Sequence, residues 1–108
     1  MTVNELAEKL NLEIITLAEG ERGIEGAYAG DLLSWVMGRA KPDNCWVTIM
    51  TNINTLAVAS LLDLSCVIIC ENSEISPDLT AAAQAKGINL LRTGMNEYET
   101  CVALGGLL

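Results

Sequence analysis

The sequence predicts an α/β fold, a three-layer α/β/α arrangement around a mostly parallel sheet, built as one domain over residues 1–108. Three observations lead there. From residue 45 onward, apolar runs alternate with amphipathic segments in the order strand, helix, strand, helix, strand, helix, which is the order of parallel strands joined by right-handed crossovers. The runs at 45–50 and 65–70 are almost continuously apolar rather than alternating, the pattern of strands covered on both faces. The segments between them open on Ser or Asn, and one closes on Gly, which is the chemistry of helix ends. A chain of 108 residues, 51% hydrophobic and 19% charged, is long enough for one well-filled core and too short for two.

Each element has its own signal. Thr2 and Glu5 form a capping box, and Leu6, Ala7 and Leu10 give the first helix, about 3–10, an apolar face. Residues 12–17 are β-branched and apolar and read as a strand. Glu19 to Gly23 is a charged turn, and 24–28 is a short extended segment leading to Gly30 and Asp31. Leu32, Leu33, Val36 and Met37 recur at helical spacing and predict a helix over 32–39, with Asp31 as its cap. Lys41-Pro42-Asp43-Asn44 is a turn. After the buried strand at 45–50, Asn52 or Asn54 caps a helix over about 55–63. After the next strand, Ser76-Pro77-Asp78 places a cap, an N1 proline and a first-turn acid, and that helix stops at Gly87. Residues 88–91 are a short strand, and Asn96 with Glu99 boxes a last helix over 97–105.

Charge and composition exclude several functions. The net charge is −8, and the six basic residues are scattered, so the stripe that neutralises phosphates in nucleic-acid binding is missing. No apolar run reaches the roughly 20 residues of a membrane helix. The capped, acidic N-terminal helix does not read as a signal peptide, so a cytoplasmic protein with four reduced thiols is expected. Histidine is absent, which removes Ser-His-Asp and Cys-His mechanisms and His-ligated metals. Cys66 and Cys70 would stand roughly 13 Å apart along a strand, too far for one metal or one disulfide, so the thiols read as packing groups. No metal site and no cofactor are expected, and neither G-x-x-x-x-G-K-[ST] nor G-x-G-x-x-G occurs. Trp35 and Trp46 read as packing residues, and Glu19, Glu21 and Glu25 as solvated surface.

In an open parallel sheet, ligands bind beyond the carboxyl ends of the strands. Here those ends carry Gly30, Asp31, Thr51, Asn52, Arg92 and Thr93, with Glu71 and Asn72 between. Asp31 would orient a donor, Asn52 would offer an amide and Arg92, the one cation of the group, would meet an acid. The same residues also have a plain role in capping helices and closing turns.

The run Gly26-Ala27-Tyr28-Ala29-Gly30-Asp31-Leu32-Leu33-Ser34-Trp35-Val36-Met37 resembles a characteristic stretch of DRTGG domains. Trp46 to Asn52, Cys66 to Cys70 and Leu90 to Thr93 resemble the later strands of that family, so the likeness covers essentially the whole chain. The resemblance implies an α/β domain similar to the N-terminal domain of HPr kinase/phosphorylase, acting as a non-catalytic regulatory, sensory or interaction module. It implies self-association as a homodimer or larger assembly; the strand ends would add a small anionic or nucleotide-like ligand as a further partner. Kinase activity is not implied, because the nucleotide-binding loop is missing. The alternative is a purely structural homo-oligomerisation or protein-interaction module. A metal- or thiol-dependent enzyme is the third reading.

Overall fold

The computed structural model describes all residues, 1–108, and orders them as α1 (Val3–Lys9), β1 (Glu13–Thr16), β2 (Ala27–Ala29), α2 (Leu33–Arg39), β3 (Cys45–Thr48), α3 (Ile53–Leu61), β4 (Cys66–Ile69), α4 (Pro77–Lys86), β5 (Leu90–Arg92) and α5 (Glu97–Gly105). The strands form one five-stranded sheet of order β1-β5-β4-β3-β2. β2 to β5 are mutually parallel, and β1 joins β5 antiparallel with an irregularity between Ile14 and Thr16.

The local chemistry explains the element ends. Both capping boxes form, Thr2 with Glu5 and Asn96 with Glu99. The Ser76 side chain accepts from the Leu79 amide, Pro77 stands in the first turn, and Gly87 closes α4 at φ 69, ψ 39, where a Cβ would be strained. Asn52 caps α3, accepting from the Asn54 and Thr55 amides, so this helix starts two residues earlier than its apolar periodicity indicates. One expected cap is corrected. The N-cap of α2 is Leu32 and has no side-chain bond, because the Asp31 carboxylate turns away to the end of β3, where it has better donors.

Two apolar layers sandwich the sheet, and period-two alternation sorts the strand side chains between them. On one face Trp46, Val67, Ile69 and Leu90 pack under α2, α3 and α4 through Val36, Leu56, Leu79 and Ala83. On the other, Cys45, Val47, Cys66, Ile68 and Leu91 pack under α1 and α5 through Val3, Leu6 and Leu104. β3 and β4 are fully buried, as their continuous apolar runs predict. Trp35 does not fit its expected packing role: it is 53% exposed, with the Arg39 guanidinium stacked 3.7 Å from the ring centroid.

The segment between β1 and β2 crosses beneath the amino ends of the parallel strands. It is held by a row of polar side chains, each just before a strand. Asn89 accepts from the Ala18 and Glu19 amides and donates to the Glu19 and Ser65 carbonyls. Ser65 donates to the Asn44 carbonyl, and Asn44 donates to the Glu25 carbonyl. Arg22 pairs with Asp43 at 2.9 Å and Asp63 at 3.0 Å. No helix is long and apolar enough to cross a membrane.

Candidate functional site

Because β2 to β5 are parallel, the segments that follow them emerge at one end of the sheet. That end gathers Gly30, Asp31, Thr51, Asn52, Arg92 and Thr93, all six sequence-predicted positions. The Gly30 amide donates to the Val47 carbonyl at 3.1 Å, and its own carbonyl accepts from the Trp46 indole Nε1 at 2.8 Å. This pair of bonds fixes the exit from β2 and sets the place of the next residue. Asp31 then spans two loops: its Oδ1 accepts from the Thr48 hydroxyl at 2.7 Å and from the Ile49 amide at 3.0 Å.

Three of the other four positions are bonded inside the chain. Asn52 caps α3. Thr51 is half-buried beside it. Thr93 is buried, and its hydroxyl accepts from the Met95 amide at 3.2 Å. Arg92 grips the Glu13 carboxylate of the neighbouring strand with two nitrogens, Nη2 reaching both oxygens at 2.9 and 3.1 Å, and Nη1 donates to the Ser73 carbonyl. A bidentate charge-assisted pair of this kind is specific in geometry, so an acid arriving at Arg92 has to compete with Glu13.

A group missed in the sequence completes the site. Glu97, first residue of α5, sets its carboxyl against Asp31. Burial, the bond to Asp31 and the charges of Asp31 and Glu71 push Glu97 up to about 7. Burial opposes ionisation of Asp31 too, but the Ile49 amide and the Thr48 hydroxyl outweigh it and hold that carboxyl below its usual value. Below about pH 7 the pair therefore holds one proton, on Glu97, with the charge on Asp31. Residues 71 and 72, after β4, adopt left-handed backbone at φ 60 and 49 and dock on the next loop, Glu71 N–H on the Met95 carbonyl and Asn72 N–H on the Thr93 carbonyl.

The sign of the pH effect follows. Glu97 binds its proton more tightly folded than unfolded, so folding takes up protons between about 4.5 and about 7. Its contribution favours the native state at the acid end, is lost as pH rises through that window and is flat above it. Solvent screening of a half-buried carboxyl keeps the effect modest. Thermal unfolding at pH 5 and pH 8 is expected to show a fall in wild-type stability that Glu97→Gln flattens; an equal fall in both would remove Glu97 as its source.

The cysteines gather on the α1/α5 face. Cys45 and Cys66 are register partners on adjacent strands, Cys70 follows β4, and Cys101 of α5 packs against this layer. The bond to Cys66 and burial hold the Cys45 thiol well above its ordinary value, and burial also raises Cys70 and Cys101. All three are held as thiols, the unreactive form. No group of three potential metal ligands is brought together. Two cavities exist, and neither touches the six strand-end residues. A small polar one of about 70 Å³ lies beneath the amino ends of the strands, beside Arg22 and Asn89. An apolar one of about 350 Å³ lies between β2 and α5.

No family model matches the chain, and no curated protein matches it. Among solved structures, the chain is similar to the CBS and DRTGG domains of the regulatory region of Clostridium perfringens pyrophosphatase, complexed with the activator diadenosine tetraphosphate. The TM-score is 0.72 at 12% identity, over 95% of this chain and 45% of that one. The chain thus spans less than half the length of the protein it matches, and the likeness is one of fold: a DRTGG-like α/β domain.

Proposed function

We propose that the chain is a non-catalytic regulatory module that binds a small ligand at the carboxyl ends of its parallel strands and works as a self-associated assembly in the cytoplasm. The observation that carries this reading is the strand-end cluster itself, where Asp31 links the exits of β2 and β3 and meets α5 through Glu97. A ligand there touches several loops at once, which is what a sensor requires. The hydroxyl bonded to a carboxylate there, Thr48 on Asp31, is fully buried, and the raised thiols nearby are poor nucleophiles. The regulatory, activator-bound setting of the similar pyrophosphatase region supports the same class. The Asp31 charge repels phosphate, so a nucleotide-like ligand would turn its base or sugar donors to Asp31 and Asn52 and its acidic end to Arg92.

A thermal-shift series with nucleotides, acyl phosphates and small carboxylates tests this. Saturation at one hundred times the dissociation constant stabilises by about 2.7 kcal/mol, or a rise in Tm of roughly 10–20 °C in a domain of this size. The rise is expected to vanish in Asp31→Ala and Arg92→Ala. A flat series, or full binding by both variants, would reject the strand-end site. The second reading, a structural interaction module, is favoured by exposed apolar side chains such as Tyr98 at 77% and Val102 at 58%.

A further inference from the structure

The two edges of the sheet are treated differently. β1 ends the sheet on one side with an irregular register and a charged Glu13, both of which discourage another strand from adding. β2 ends it on the other with Ala27-Tyr28-Ala29, free of charge, proline or bulge. In the ladder to β3, Gly26 accepts from Cys45 and Gly30 donates to Val47. The bonds to β3 therefore run through residues 26, 28 and 30, and Ala27 and Ala29 turn their N–H and C=O groups outward. Beside this open edge, the apolar cavity of about 350 Å³ is lined by Ala27, Ala29, Cys101 and Leu104. Tyr98 and Val102 continue the apolar surface along α5 at helical spacing, Leu108 adds to it beyond the end of the helix, and all three are exposed.

We propose that β2 is a dimerisation edge: a second copy of this chain pairs antiparallel with it about a twofold axis at Tyr28, joining the two five-stranded sheets while the α5 helices of both copies close over the joint. The inference rests on the self-association in the proposed function and assigns its surface. The register is self-complementary. Ala27 faces Ala29 of the second copy in a hydrogen-bonded pair, and Ala29 faces Ala27, so every outward group of β2 is satisfied and Tyr28 meets its mate in the close, non-bonded position. The area of β2 and the apolar stripe is on the order of 550 Å² per copy, about 1,100 Å² in total, the size of a weak, reversible interface. Charge favours the same place: two chains of net charge −8 repel, and these β2 and stripe residues carry no charge.

Analytical ultracentrifugation from low-micromolar to millimolar concentration, with amide hydrogen exchange on the same samples, tests the surface. A monomer–dimer equilibrium is expected, in which the Ala27 and Ala29 amides slow as the dimer forms. Val102→Glu should weaken association by at least about tenfold. Leu61→Glu, at an exposed position on the opposite layer, should leave it unchanged. A strict monomer at all concentrations overturns self-association and this surface together. A dimer in which those amides stay fast and Val102→Glu still associates overturns the surface alone. The exchange measurement needs no variant, so a misfolded variant cannot mask the result.

Discussion

Trp46→Ala is expected to destabilise the protein by about 3–5 kcal/mol, a large share of the roughly 5–15 kcal/mol that holds a domain folded. Trp46 is fully buried in the middle of β3, between α2, α3 and β4, so its loss opens a cavity that fixed strands cannot fill. It also releases the Gly30 carbonyl at the β2 exit. Trp46→Phe separates the two effects: it keeps most of the ring and removes the indole donor, at an expected cost of about 1–3 kcal/mol. In the phenylalanine variant the Asp31 loop should loosen while the core stays packed, so urea unfolding and ligand-induced shifts should part company. A Trp46→Ala cost below about 1.5 kcal/mol would mean that this layer collapses easily around the gap.

Asn89→Ala should be comparably damaging without emptying the apolar core, at about 2–4 kcal/mol. The Asn89 side chain is buried and makes four hydrogen bonds to backbone groups on two other segments. Deleting it strands two amides and two carbonyls at once. Asn89→Asp retains the acceptor for the Ala18 and Glu19 amides but sets a carboxylate against the Glu19 and Ser65 carbonyls, so its cost should grow as pH rises and the acid ionises. Urea unfolding of the two variants at pH 5 and pH 8 reads both effects; a pH-independent difference between them would show that the aspartate is solvated rather than buried.

Much of this fold is legible in the sequence, because its signals are local. The capping boxes, Pro77 and Gly87 act within one turn, and the apolar runs at 45–50 and 65–70 need no knowledge of partners to announce covered strands. What escaped depends on distance. Asp31 stands where a cap belongs, yet a hydroxyl and an amide from the next strand draw it away. Trp35 lies in a helical pattern, but α2 turns it to solvent against Arg39. Glu97 reads as an ordinary first-turn acid, and only the tertiary fold sets it against Asp31. The common location of the strand-end residues is legible because parallel topology fixes which ends coincide. Their internal engagement, Arg92 with Glu13 above all, was invisible because β1 and β5 are joined across most of the chain.

The crossing segment between β1 and β2 has a consequence for how the molecule assembles. β2 to β5 are added in sequence order, each beside the one before, so their contacts close short loops. β1 joins Glu13 to Arg92 and depends on the segment beneath the sheet to carry the chain from one edge to the other. The entropy of that long closure is recovered only after β5 exists, so the first quarter of the chain is expected to dock last in folding and open first in native-state fluctuation. The Arg92 side chain, tied to Glu13, would then be freed by that same opening, which couples the earliest residues of the chain to the only cation at the strand ends.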